Sequence, residues 1–392
     1  MCHTNGSAPH LTKFGYMYRR AGYRFIDRIG DKEADDQAMR LSEHFAVGTN
    51  LSYEIGTTQT PSAASSTLTS NQFNVPEVEL WPIVGSFLGN FAAWTEIDAN
   101  VNTATTPGKR SGGINLTQAD LRYVTGNKDF FINTRGGILN SEGYGASDQW
   151  VDDSNLPLFD RITAQFNQDT LVLPLGANNV PQLGAEFGLN YQDSHLTLGI
   201  YNGFDGTNGV GTSAQSTLAA ALMNQPGQNS KDYKVQLDQF VGQAVALTGI
   251  FYHGQIPLLD PSNSLVWLDQ FSALRLYATW AALPNTVDIL AGGAYGNHGY
   301  VNSGTTQIVG TFPTRGAFVG ANYYVMPHLT LSGRVDYNQI NYSTTQPLKA
   351  DGFALIASLP YENNMFIFHY NTIWSDVAGT IGDFRAEWRF LL

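Results

Sequence analysis

The chain is short of charge, of cysteine and of long apolar runs, and each shortage removes a class of protein. Charged residues make up 14% of 392 positions, against roughly 25% in soluble globular domains. A single cysteine cannot build a disulfide framework. The apolar stretches, such as 353–360, stop far short of the ~18 to 20 residues of a membrane-spanning helix, and mean hydropathy is −0.17. With 33 acidic residues against 21 basic ones the net charge is −12 and the pI near 5.0, and no basic stripe is present to neutralise phosphates, which excludes nucleic acid as a partner. Enzyme signatures are missing as well: there is no G-x-S-x-G, H-E-x-x-H, P-loop or Gly-rich dinucleotide fingerprint. The eight histidines, at 3, 10, 44, 195, 253, 298, 328 and 369, lack metal-ligand spacing. Disorder is ruled out by the 12% aromatic content.

What is present is alternation. Leu329, Leu331, Val335 and Tyr337 share one face of a run whose other face is Thr330, Ser332, Arg334, Asp336 and Asn338. Phe384, Ala386, Trp388 and Phe390 alternate with Arg385, Glu387 and Arg389, and Leu121 and Tyr123 with Asp120 and Arg122. Period-2 patterning of this kind predicts strands, here at 41–55, 76–83, 89–98, 114–124, 128–137, 181–191, 194–202, 231–241, 245–254, 270–281, 286–296, 314–325, 328–339, 351–359, 363–373 and 381–391. Their connections alternate in length. Tight turns fall at 84–87, 125–127, 192–193, 242–243, 283–285, 326–327 and 360–362, and longer polar segments at 57–75, 99–113, 138–180, 203–230, 255–269, 297–313, 340–350 and 374–380.

An even number of strands with strictly alternating short and long connections is the pattern of an all-β, 16-strand antiparallel transmembrane β-barrel, with its short turns and both ends periplasmic. The reading divides the chain into a barrel over 41–392 and a short non-barrel segment or periplasmic plug over 1–40. A soluble sandwich or propeller also has many short strands, but gives no reason for every second connection to be long. A barrel of this size is wide enough for a water-filled lumen, so passage of small hydrophilic solutes or ions, in an envelope of outer-membrane lipid, is the expected function. Parity directs Glu96, Asp120, Arg122, Arg135, Arg275, Arg334, Asp336, Arg385, Glu387 and Arg389 to the lumen. Aromatics near strand ends, including Trp94, Tyr123, Tyr191, Tyr323, Tyr337, Tyr370 and Trp388, suit interfacial girdles.

The longest segment, 138–180, carries Asp148, Asp152, Asp153 and Asp160. In this it resembles general porins, whose third loop folds into the barrel. The resemblance implies that these acids form a constriction opposite some of Arg122, Arg135, Arg334 and Arg385. The terminal run 384–392 resembles the closing strand of outer-membrane proteins, departing from it by ending on Leu392 with Phe390 two positions earlier.

Residues 1–40 do not alternate, and hold Lys13, Arg19, Arg20, Arg24, Arg28, Lys32 and Arg40. Cys2-His3 is the second half of the C-x-x-C-H haem attachment motif. With Pro9-His10-Leu11-Thr12, Phe14-Gly15 and Ala21-Gly22-Tyr23, the segment resembles the start of bacterial cytochrome-porin fusions. That resemblance implies haem c on Cys2, His3 as iron ligand, and His10 or Met17 as sixth ligand. It also implies electrons moving between an extracellular donor such as ferrous iron and periplasmic electron carriers. The first Cys of the motif is missing, and Met1 leads straight into polar residues with no signal peptide. If the true start lies upstream, both would lie there; otherwise one thiol cannot make two thioethers and a plain channel remains.

Overall fold

Alternating faces and short turns fold the chain into strands that pair with their sequence neighbours. The structure, a computed structural model, describes residues 12–29, 45–59, 67–74, 77–87, 90–103, 110–139, 163–164, 171–172, 182–202, 231–259, 265–301, 308–341, 347–361, 364–375 and 379–391. A helix, α1 (Lys13–Arg20), precedes nineteen strands: β1 (Ala46–Gln59), β2 (Thr67–Asn74), β3 (Glu77–Phe87), β4 (Phe91–Thr103), β5 (Arg110–Gly126), β6 (Phe130–Leu139), β7 (Thr163–Ala164), β8 (Leu171–Val172), β9 (Gln182–Tyr191), β10 (Ser194–Tyr201), β11 (Asp232–Val241), β12 (Val245–Leu259), β13 (Leu265–Leu283), β14 (Val287–Val301), β15 (Ile308–Met326), β16 (Leu329–Asn341), β17 (Pro347–Tyr361), β18 (Asn364–Ser375) and β19 (Gly379–Leu391). β7 and β8 form a two-residue ladder of their own, and the other seventeen make one antiparallel sheet. β2 and β3 share a single position beside β1: β2 pairs with its Ser52 to Thr58 half and β3 with its Ala46 to Thr49 half. The barrel therefore has sixteen staves. It closes through β1 and β19, in register from Gly48↔Leu391 to Gln59↔Thr380.

Closure leaves the sheet without an edge, so each stave's backbone groups find partners on both sides. Pro82, which has no N–H to offer a ladder, falls in the register shift between Leu80 and Ile83. Along each stave one parity is exposed and apolar, as in Leu237, Leu276, Val319 and Val335, and the other is buried, as in Asp238, Arg275 and Arg334. An apolar outside with a polar inside is the exterior of a lipid-embedded barrel turned toward its solvent. Among the described residues no helix is long and apolar enough to cross a membrane.

Strand boundaries differ from the sequence expectation at the long-connection end. The segment expected as loop over 57–75 contains β2, and those over 255–269 and 297–313 are largely strand, with pairing up to Leu259↔Leu265 and Val301↔Ile308. Beyond the apolar band nothing demands an apolar face, so the ladder runs on through polar sequence that carries no alternation. The first expected strand, at 41–55, begins at Ala46. Trp94, expected in an outward girdle, lies on the inward face, where it is register partner to Asp120 and meets Tyr23 at 5.5 Å. Tyr123, Tyr191, Tyr323, Tyr370 and Trp388 do point outward and are exposed.

Candidate functional site

The site lies where the segment before the barrel meets its inner wall. Thr12 caps α1, its Oγ1 accepting from the Gly15 N–H at 3.1 Å. Arg19 and Arg20 complement the dipole in the last turn. Eight residues are too few for a helix to be stable alone, so its packing must hold it. Tyr16, Met17, Arg20 and Ala21 are buried.

Arg20 is the main polar anchor. Its guanidinium is 1% exposed and gives Nη1 to Thr197 Oγ1 on β10 (2.8 Å) and Nη2 to Asp238 Oδ2 on β11 (2.7 Å) and to the Tyr16 hydroxyl (3.0 Å). Asp238 also accepts from Thr248 on β12 at 2.7 Å. Burial pushes the Tyr16 hydroxyl well above its ordinary pKa, so it stays a neutral partner. At the start of α1, Lys13 reaches Asp193 (2.6 Å) and the Gly242 carbonyl (3.4 Å), both in short turns. After α1 the chain turns at Gly22 (φ +67) and Tyr23 (φ +60) toward β4 and β5. A Cβ at Gly22 would lie 3.0 Å from Val124 Cγ2 and 3.2 Å from Ala92 Cβ, so this position requires glycine for both backbone and contact. Arg122 stacks over Tyr23 (5.2 Å), Arg19 over Trp94 (5.9 Å), and Arg24 donates to the Phe91 carbonyl (2.8 Å).

These polar contacts surround an apolar cluster. Tyr16, Met17, Ala21 and Ile29 join inward residues from most of the circumference, including Val124 (β5), Phe131 (β6), Phe240 (β11), Ile250 (β12), Leu290 (β14), Phe318 (β15), Ile356 (β17) and Ile367 (β18). At this level, in the short-turn half, the barrel interior is a packed core.

Solved structures share this architecture. An anion-selective porin from Comamonas acidovorans superposes with a TM-score of 0.58 at 9% identity, over 89% of this chain and 99% of that one. A loop-deletion form of OmpT, an outer membrane protein of Vibrio cholerae, gives 0.54 at 11% identity over 89% and 99%, and OmpT in trimer form 0.52 at 9% over 89% and 100%. The chain has the fold of outer-membrane porins. No family model matches it, and no curated protein matches it in sequence.

All ten wall residues expected by parity lie on the inward face, and most are paired within it. Arg122 holds Asp120 at 2.5 Å, Arg334 holds Asp336 at 2.7 Å, and Trp94 donates to Glu96 at 3.1 Å. Glu387 meets Arg389 at 2.6 Å and Arg385 at 3.5 Å, and Arg385 reaches Glu54 at 3.2 Å. Arg135 (2.7 Å) and Lys234 (2.5 Å) converge on Glu186, which also accepts from Tyr201. Arg275 is 1% exposed. Asp148, Asp152, Asp153 and Asp160, expected to form a constriction, lie outside the described residues, as do Cys2, His3 and His10. Met17 is described, with its side chain in the apolar cluster. Among the described residues no group of three or more His, Cys, Asp or Glu could hold a metal.

Sequence reasoning missed the Arg20–Asp238 anchor, whose partners are 218 positions apart. One signal was available: Phe240 and Ile250 sit at the parity of Asp238 and Thr248, and an apolar residue on a wetted wall needs a cover.

Two substitutions test the seat of α1. Arg20→Ala leaves Asp238 buried without its cation, a change that costs about 3–5 kcal/mol. Gly22→Val forces a β-branched residue to positive φ, about 1–2 kcal/mol, and crowds Ala92 and Val124. In the folded barrel, trypsin is expected to spare Arg19 and Arg24 in the wild type and to cut there in both variants. Equal cutting in all three would show that the helix is not seated.

Proposed function

We propose that the chain is an outer-membrane, porin-like channel for small hydrophilic solutes or ions whose short-turn mouth is closed by residues 12–29. The observation that carries this reading is the apolar cluster shared by α1 and the inner wall. A permanently open pore would expose Phe240, Ile250, Leu290, Ile356 and Ile367 to water, at roughly 1.5–3 kcal/mol for each large side chain. The porin fold and the apolar exterior support the membrane setting. Short turns on the periplasmic side, as in bacterial barrels, would put this stopper at the periplasmic mouth. Paired acids and bases on the wall above it, such as Arg135 with Glu186 and Arg334 with Asp336, would supply the transverse field that filters polar solutes once the mouth is clear.

A second reading is favoured by the same closure: a barrel sealed by the segment that begins Cys2-His3 suits passage of electrons better than of solutes. Haem c would supply a reducible iron, anchored on Cys2 with His3 as ligand, and periplasmic electron carriers would be its partners. Thr12 follows Cys2 by ten positions, at most about 35 Å of extended chain. Met17 is committed to the apolar cluster, which leaves His10 as the sixth-ligand candidate.

Planar-bilayer recording tests the first reading. The full chain is expected to sit mostly closed, and Gly22→Val to conduct roughly tenfold more, because each 1.4 kcal/mol is a factor of ten. Steady wild-type conductance equal to that of the variant would overturn the stopper. A haem stain on protein expressed from its genomic start decides the second: covalent haem supports it, and an unstained band with no upstream Cys two residues before Met1 refutes it.

A further inference from the structure

His195 has no place in the reading so far. It is on β10, two residues past the turn that Lys13 holds, and its side chain is fully buried with neither ring nitrogen hydrogen-bonded. Buried polar atoms nearly always find partners, so an imidazole left bare at a docking face calls for a reason. The ring lies against α1 and the wall at once: Tyr16 is 5.5 Å away and Phe240 6.3 Å, and those two rings are 5.0 Å from each other.

The charges around it come from α1, from β11 and from the turn between β9 and β10. From α1, Lys13 lies 5.8 Å over the Phe240 ring and Arg20 hydrogen-bonds Tyr16. From β11, Asp238 is the register partner of His195, but its carboxylate is already engaged by Arg20 (2.7 Å), Thr248 (2.7 Å) and Gln236 (3.0 and 3.2 Å). On the other side, Asn190 of β9 is neutral and donates to Asn133 at 2.8 Å and to the Phe131 carbonyl at 3.3 Å. Asp193, in the turn, is held by Lys13.

We propose that His195 is a proton-operated release for α1: neutral imidazole permits the helix to dock, and protonation expels it and opens the mouth. Two effects of the proton act in the same direction. An imidazolium places a third cation beside Lys13 and Arg20 in a space closed to water, where charges act strongly. It also offers Asp238 a partner from the wall, in competition with the guanidinium that ties α1 down. Released, the ring is open to water, where a charged form is far less costly than in the closed space. Docking is then strongest at higher pH and weakens as pH falls, because the released state takes up the proton. With one proton taken up on release, the ratio of open to closed channel rises by up to about tenfold per pH unit.

This inference rests on the stopper reading, and the test separates the two. Single-channel recordings of the full chain are made between pH 7.5 and 5.5, alongside His195→Gln, Lys13→Gln and Gly22→Val. The wild type is expected to be mostly closed at pH 7.5 and to open progressively as the pH falls. His195→Gln should stay closed throughout, matching the wild type at pH 7.5, and Lys13→Gln should show a weaker acid response. An undiminished acid response in His195→Gln overturns the role of His195, as does a wild type indifferent to pH while Gly22→Val conducts. If Gly22→Val is as silent as the wild type at every pH, the stopper itself is wrong.

Discussion

Apolar side chains on the inner wall of a barrel must be covered. The outer surface spends its Leu, Val and Phe on lipid, and alternation should leave the inner face to polar residues. Phe240, Ile250, Leu290, Phe318, Ile356 and Ile367 break that division on separate staves, in the same half of the barrel. Among the described residues they share one cluster with Tyr16, Met17, Ala21 and Ile29 of the chain before β1. The helix depends on them in turn, since eight residues cannot hold α1 in water. Barrel and helix therefore complete each other, and the polar contacts of Arg20, Lys13 and Arg24 fix the direction in which the helix enters.

A buried ion pair is weak evidence of stability, because desolvation offsets most of the Coulomb gain. Its use at Arg20 is specificity. Asp238, Thr197 and the Tyr16 hydroxyl accept the guanidinium in one geometry, which sets both the depth and the rotation of α1. Gly22 then lets the chain leave the helix at positive φ against Ala92 and Val124, which a side chain would crowd. The wall charges farther from the short turns pair with each other, as Arg135 and Lys234 do with Glu186.

The barrel was legible because its cause is local. Alternation of the kind seen at 329–338 follows from one lipid face and one solvent face, and the positions of short turns such as Gln192-Asp193 follow from where it pauses. Strand ends were less legible: β12 to β15 outrun their apolar patterning, since a ladder beyond the lipid band needs no apolar face. The segment before the barrel was read as a basic, non-alternating stretch or plug, without its helix or its contacts. Its folding rests on partners far along the chain, Thr197 and Asp238 for Arg20, and Val124 for Gly22. His195 looked like one scattered histidine among eight until the fold set it beneath Tyr16.

Hydrogen exchange of the full chain folded in lipid tests the seating of α1 most directly. The amides of Tyr16, Ala21, Gly22 and Tyr23 donate to Thr12, Met17, Arg19 and Tyr18 inside the barrel. They should exchange orders of magnitude more slowly than a free eight-residue helix, which is marginal in water. Exchange at the rate of an unstructured peptide, with the β10 to β12 amides still protected, would mean that the mouth stands open and that the apolar ring has some other cover.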